Sequence, residues 1–146
     1  GNIYNPRNKE IKCIVEGKAR GNLIGGNLSI ICSSLGTENE IDTRNKILFI
    51  EEIGEEPYKV DRMLLQLVQA GKINDCAGII FGYFSSCEPS NPNQSLTISE
   101  VIKELIKPCG KPIIAGVACG HSLPSLTLPM GVEVVIDSKN KNIKII

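Results

Sequence analysis

The sequence predicts one α/β domain with a mainly parallel central sheet and a C-terminal β-hairpin. Three short apolar runs alternate with two amphipathic segments of helical periodicity, an order that right-handed crossovers fold into a parallel sheet. After them, the apolar segments 132–136 and 143–146 flank a polar turn, which is typical of a hairpin. A chain of 146 residues fits a single domain, so we assign residues 1–146 to one unit.

The N-terminal part of the chain predicts a strand and a short helix. Residues 12–16 alternate enough to form the strand, and a turn is expected further on at the double glycine, Gly25 and Gly26. Asn27 is a good N-cap for the helix that follows. The apolar positions of that helix recur at helical spacing: Leu28, Ile31, Cys32 and Leu35.

The central part of the chain predicts the parallel sheet and its crossover helices. Three apolar runs have the continuous hydrophobicity of strands covered on both faces: 47–50, 78–82 and 112–116. We expect the charged segment 51–56 to be a loop, and Pro57 suits the first turn of the next helix. Thr97 and Glu100 form a capping-box pattern, which predicts the start of the second crossover helix.

The composition argues against several classes of function. The 16 Lys+Arg balance the 16 Asp+Glu and form no basic cluster, so a nucleic-acid partner is not expected. No apolar run approaches the length of a membrane span, and no signal peptide is recognisable. The six cysteines contain no C-x-x-C pair and favour a reduced, cytoplasmic set of thiols over a disulfide framework. The single histidine leaves at most one imidazole for acid–base or metal work, and we expect neither a metal nor a cofactor.

Two polar residues are expected at the same edge of the sheet. Glu51 directly follows the first apolar run, and His121 follows the third after a short segment that ends in Gly120. Loops that leave parallel strands gather along one edge, where ligands usually bind. A carboxylate beside an imidazole fixes its tautomer and stabilises its cation while the imidazole takes a proton from a nucleophile. The pair therefore predicts half of a nucleophilic triad.

Other interpretations of these residues stay open on the sequence alone. His121 could be a loop imidazole without a role, and Glu51 and Glu52 could form a solvated acidic turn before a helix. The segment 25–27 could cradle a phosphate, but it lacks the lysine and hydroxyl residue of a P-loop, which favours a structural turn. Cys119 lies near the histidine, but its apolar surroundings disfavour it as a nucleophile.

A set of short motifs occurs in a characteristic order: Glu16-Gly17, Gly21, Leu23 to Leu28, Gly36-Thr37, Ile47 to Glu52, Pro57-Tyr58, Asp61 to Leu64, Gly120-His121 and Leu128-Pro129. Together they resemble the muramoyltetrapeptide LD-carboxypeptidases, serine peptidases with a Ser-Glu-His triad. The resemblance implies a two-domain enzyme whose N-terminal domain carries the nucleophilic serine. This chain is similar to the C-terminal domain, a swivelling β/β/α fold, without the serine-bearing domain.

The resemblance also implies residue roles and a reaction. The family's triad Glu is the first acidic residue after the apolar strand, here Glu51, and its triad His follows a glycine, here His121 after Gly120. The second acidic position is usually Asp in the family and is Glu52 here, so no chemistry is assigned to it. The implied reaction removes the terminal D-alanine from muropeptide tetrapeptides in cytoplasmic cell-wall recycling, and a chain without the serine domain is expected to be inactive.

Two other functions are alternatives. Microcin C immunity peptidases use the same triad on nucleotide-linked substrates and need an aromatic platform, for which only Tyr83 and Phe84 lie near the predicted edge. A non-catalytic peptide-binding module would be favoured if Glu51 and His121 lay far apart. The edge left uncovered by the absent domain is expected to expose apolar residues and to favour a homodimer. The remaining candidates for substrate-edge or structural roles are Gly25, Gly26, Asn27 and Gly120.

Overall fold

The computed structural model describes residues 1–146 as eight strands, four α-helices and one 3-10 turn. The strands are β1 Asn2–Ile3, β2 Lys12–Val15, β3 Lys18–Asn27, β4 Ile47–Ile53, β5 Gly78–Ser85, β6 Ile113–Ala115, β7 Glu133–Asp137 and β8 Asn142–Ile145. The helices are α1 Leu28–Ser33, α2 Pro57–Gln69, α3 Lys72–Asp75 and α4 Ile98–Leu105, and the 3-10 turn spans Lys107–Cys109.

All eight strands form one curled sheet in the order β1-β8-β7-β3-β4-β5-β6-β2. The three central pairings, β3–β4, β4–β5 and β5–β6, are parallel, and the outer pairings are antiparallel. The β7–β8 hairpin lies where the sequence predicts it. The predicted α/β fold with a mainly parallel centre and a C-terminal hairpin is therefore confirmed.

Strand β3 replaces the turn that we expected at the double glycine. Its first half pairs antiparallel with β7, and its second half, from Leu23, pairs parallel with β4. At Gly25, φ is +120°, and a Cβ atom would lie 2.0 Å from the carbonyl oxygen of Phe49 on β4. The turn prediction at Gly25 and Gly26 is wrong, because both glycines lie within β3 and Gly25 allows the close approach of β4. Glycine has a weak β propensity, so the sequence does not reveal this strand.

The strands β4 and β5 also extend beyond their predicted ends. Glu51 and Glu52 were expected in a charged loop, but both lie within β4 and are 5% and 2% exposed. Tyr83 likewise belongs to β5 rather than to the loop after it. The interpretation of the glutamates as a solvated turn is wrong, because each carboxylate has polar partners brought in from a distant segment.

The apolar core lies on both faces of the sheet. One face packs against α1, α2 and α4, and the other packs under the curled hairpin and the segment that follows β6. The predicted N-caps are confirmed: Asn27 Oδ1 accepts from the Ile30 N–H, and Thr97 Oγ1 accepts from the Glu100 N–H. No helix combines the length and the hydropathy that a membrane crossing requires.

Candidate active site

The structure brings together the two residues predicted to form half of a triad. His121 Nδ1 lies 2.8 Å from Glu51 Oε2, although 70 residues separate them in the sequence. The glutamate side chain is only 7% exposed, whereas the histidine side chain is 50% exposed. His121 Nε2 has no hydrogen-bond partner in the chain, so one ring nitrogen is held by a buried carboxylate and the other is available to an external group.

The segment that carries His121 is an extension of β6 along β5. The Val117 N–H donates to the Phe81 carbonyl at 3.2 Å, and the Tyr83 N–H donates to the Cys119 carbonyl at 2.9 Å. The Tyr83 hydroxyl also donates to the Pro124 carbonyl at 2.6 Å, on the far side of the histidine. The loop is therefore fixed to β5 both before and after His121.

Gly120 permits the close contact between the His121 loop and Glu51. Its φ is +135°, and a Cβ atom at this position would lie 2.9 Å from Glu51 Oε2 and 3.2 Å from the Tyr83 Cβ. Any other side chain would have to displace the carboxylate that holds the imidazole. The Gly-His pair therefore has a packing reason that the sequence alone does not reveal.

The other buried carboxylate, Glu52, joins the end of β4 to the start of α1. It accepts hydrogen bonds from the Ser29 N–H at 2.8 Å, the Asn27 amide at 2.8 Å, the Ile53 N–H at 3.0 Å and the Ser29 hydroxyl. Burial alone raises the pKa of Glu52, but these hydrogen bonds together lower the pKa below its ordinary value. Glu52 is thus an ionised structural link rather than a second catalytic acid, a role that sequence reasoning missed because Ser29 is remote in the chain.

The replacement Glu52→Gln is expected to destabilise the domain by about 1.5–3 kcal/mol at neutral pH, since one amide cannot accept all four hydrogen bonds. The folded-state pKa of Glu52 lies below its usual 4.5, so its stabilising contribution is complete above that pH. It is lost as the pH falls through the lowered pKa. Urea unfolding should therefore show a difference between wild type and variant that is constant above pH 4.5 and shrinks on further acidification.

The exposed Glu104 on α4 provides a control, because it has no hydrogen-bond partner in the chain. Its replacement by Gln should leave the free energy of unfolding within about 0.5 kcal/mol of wild type. Equal effects of the two replacements, or a Glu52→Gln deficit that grows below pH 4.5, would contradict the assignment.

The arrangement at α1 also explains why residues 25–27 do not form an open anion cradle. The N–H groups at the start of the helix already have acceptors, Glu52 for Ser29 and the Asn27 side chain for Ile30. A phosphate would have to displace an ionised carboxylate to reach them. Asn27 is a structural cap, and its amide also helps to hold Glu52 in place.

The remaining candidates for a local nucleophile are not activated. Burial raises the pKa of the Cys119 thiol, and the charge of Glu51 raises it further, so the thiolate is disfavoured. The Ser122 hydroxyl is paired with the Ser85 hydroxyl instead of with the imidazole. No group of three or more His, Cys, Asp or Glu side chains is arranged to hold a metal ion.

Comparisons with known proteins identify the family. Residues 20–136 match the family model described as the LD-carboxypeptidase C-terminal domain. The probable murein peptide carboxypeptidase of Bacillus subtilis is 46% identical over 128 residues, which cover 88% of this chain and 40% of that protein. The microcin C7 self-immunity protein MccF of Escherichia coli is 34% identical over 134 residues, covering 88% of this chain and 37% of that protein.

Solved structures give the same result. The crystal structure of the muramoyltetrapeptide carboxypeptidase from Oxalobacter formigenes superposes with a TM-score of 0.81 at 28% identity, covering 99% of this chain and 48% of that one. The chain thus spans about 40% of the length of the curated relatives it matches. The match over most of the chain, together with the fold, shows that the chain belongs to the LD-carboxypeptidase C-terminal domain family.

Proposed function

We propose that this chain is the Glu- and His-bearing domain of a serine carboxypeptidase that removes the terminal D-alanine from muropeptide tetrapeptides in cytoplasmic cell-wall recycling. The observation that carries the proposal is the 2.8 Å contact between the buried Glu51 carboxylate and His121 Nδ1, with Nε2 left unbonded. This is the arrangement that a Ser-Glu-His triad requires of its last two members. Family membership and the names of the relatives support the substrate class.

In the proposed mechanism, the serine comes from a domain that precedes this one in the full-length protein. His121 Nε2 takes the proton of the serine hydroxyl while the serine oxygen attacks the carbonyl carbon of the L,D-peptide bond. Glu51 holds the Nδ1–H tautomer and stabilises the imidazolium. His121 then gives the proton to the departing amine of D-alanine, and water hydrolyses the acyl-enzyme with His121 again acting as base.

The serine domain is proposed to cover the edge of the sheet at which the pair lies. Ile53 on β4 is 41% exposed, and Leu123, two residues after His121, is 88% exposed. Ile30 on α1 is also exposed, at 69%. Apolar side chains exposed beside a site are typical of an interface with another domain. In the isolated chain, the same residues would favour the homodimer expected from the sequence.

A microcin C-type immunity peptidase is the second candidate, supported by the 34% identity to MccF. Such an enzyme needs a free aromatic platform for the nucleobase. The Tyr83 hydroxyl is engaged by Pro124, and the Lys9 ammonium lies 5.6 Å from the Tyr83 ring centroid. The Phe84 ring packs against Phe81 at 6.0 Å between centroids. Because both rings already have partners within the chain, we favour the muropeptide substrate.

The proposal is tested by assaying release of D-alanine from a muramoyl tetrapeptide by the full-length protein. We expect turnover by the full-length protein and none by this chain alone, since a base and its orienting carboxylate have no nucleophile or oxyanion hole to act with. A nucleotide-linked peptide serves as the competing substrate. Turnover by the isolated chain, or preferential cleavage of the nucleotide-linked peptide, would contradict the proposal.

A further inference from the structure

The segment between β6 and His121 loses one neighbour just before the site. β2 pairs with β6 only as far as Ala115, so the residues that follow have β5 on one side and no strand on the other. Val117 and Ala118 are fully buried there. Buried backbone groups need hydrogen-bond partners, and the missing strand would leave the Ala118 N–H without one.

The side chain of Asn5 takes the place of that missing strand. Its Oδ1 accepts from the Ala118 N–H at 2.9 Å, and its Nδ2 donates to the Gly116 carbonyl at 2.8 Å. One primary amide thus satisfies a donor and an acceptor of the same segment, as the peptide group of a neighbouring strand would. Nδ2 also donates to the Lys9 carbonyl at 3.1 Å, which fixes the amide within its own turn.

The backbone N–H and carbonyl of Ala118 connect the Asn5 side chain to the loop that contains His121. The Ala118 N–H is held by Asn5, and its carbonyl accepts from the Leu126 N–H at 2.7 Å, which closes the loop that contains His121. The turn that carries Asn5 also contacts the loop's other anchor, since the Lys9 ammonium lies over the ring of Tyr83. Movement at Ala118 would therefore move His121 relative to Glu51.

We propose that Asn5 is a positioning residue for His121: it holds the segment leading to the imidazole in the register that places Nδ1 against Glu51. Asn5 lies outside residues 20–136, the part of the chain that matches the family model. The consequence for turnover rests on the proposed function, but the positioning itself does not.

The chain offers an unusually clear readout, because His121 is its only histidine. In protein labelled with ¹⁵N, the two imidazole nitrogens report the tautomer of this residue without any assignment problem. Under conditions in which the ring is neutral, wild type should carry its single ring proton on Nδ1, as donation to Glu51 requires. Asn5→Ala removes the amide that holds the segment, and Asn5→Asp keeps its size but replaces the donor by a second acceptor. Both variants should shift the two ¹⁵N signals toward those of the tautomer mixture of free imidazole.

One further measurement and a matched control variant separate positioning from general stability. Exchange of the Ala118 amide hydrogen should become at least about tenfold faster in Asn5→Ala, while amides of β4 stay protected. The matched control is Asn2→Ala, because Asn2 lies in the same N-terminal segment and its side chain donates only to the Tyr4 hydroxyl. That control should keep the wild-type imidazole signals.

In the full-length protein, Asn5→Ala is expected to lower kcat by about 10- to 100-fold with little change in KM, because a base displaced by a fraction of an ångström still lies in an intact binding site. Wild-type imidazole signals in both Asn5 variants, or an equal change in Asn2→Ala, would overturn the proposal. If the imidazole signals shift as expected but the wild-type full-length protein has no peptidase activity, the proposed function fails while the positioning role stands.

Discussion

The replacement Glu51→Gln in the full-length protein is expected to lower kcat by about 10³- to 10⁴-fold without unfolding the domain, the effect that loss of the orienting carboxylate has in a serine triad. A glutamine amide can still lie 2.8 Å from Nδ1, but its NH₂ would donate to that nitrogen and move the ring proton to Nε2. The Nε2 atom then cannot accept the serine proton. The neutral amide also fails to stabilise the imidazolium that forms during attack.

Measurement of D-alanine release gives the kinetic effect, and a thermal unfolding curve shows whether the fold is retained. A matched control is Glu55→Gln, since Glu55 lies close to Glu51 in sequence but makes only a 3.7 Å ion pair with Lys59 on the surface of α2. This control should keep turnover within about twofold of wild type. If Glu51→Gln retained turnover within about tenfold of wild type, the role assigned to Glu51 would be wrong.

The replacement Gly25→Ala is expected to cause the largest loss of stability, more than about 4 kcal/mol, which is enough to unfold most domains of this size. The added Cβ would lie 2.0 Å from the Phe49 carbonyl oxygen and 2.9 Å from the Phe49 carbonyl carbon. Both obstacles are backbone atoms of the neighbouring parallel strand, so no side-chain rotation relieves them. Strands β3 and β4 would have to separate in the middle of the sheet.

The adjacent glycine supplies a control that isolates the collision from backbone strain. Gly26 also has a positive φ, +148°, but a Cβ there meets nothing within 4 Å. Gly26→Ala should therefore cost only the conformational term, about 1–3 kcal/mol. Urea unfolding followed by circular dichroism gives both values, and equal unfolding midpoints for the two variants would show that the approach of β4 is not what requires Gly25.

Elements defined by local chemistry are those that the sequence predicts well. Asn27 and Thr97 cap helices and Pro57 begins one, each as expected, because a cap or a proline acts within one turn of its own position. The parallel order of the central strands also follows from local patterns. That order is sufficient to place Glu51 and His121 at one edge of the sheet, where the structure brings them into contact.

Features that depend on distant partners are those that local patterns do not reveal. In the sequence, Gly25 indicates a turn, whereas in the structure it makes room for the carbonyl of Phe49 on the neighbouring strand. In the sequence, Glu52 indicates a solvated loop, whereas in the structure it is buried and accepts hydrogen bonds from Ser29 and Asn27. Asn5 carries no sequence signal at all, because its role depends on a peptide group 113 residues away. In each case the decisive contact is created by the fold and is absent from any local window of sequence.

The dual pairing of β3 has a consequence for how the domain is made. The first half of this strand pairs with β7, which is synthesised long after β3 itself. Until then, one edge of β3 is open to other chains, and the core residues of the hairpin, such as Val134 and Ile136, are missing from the second face. The nascent domain therefore completes its sheet in a late step, and a chain that stops before β7 presents an unpaired strand suited to aggregation.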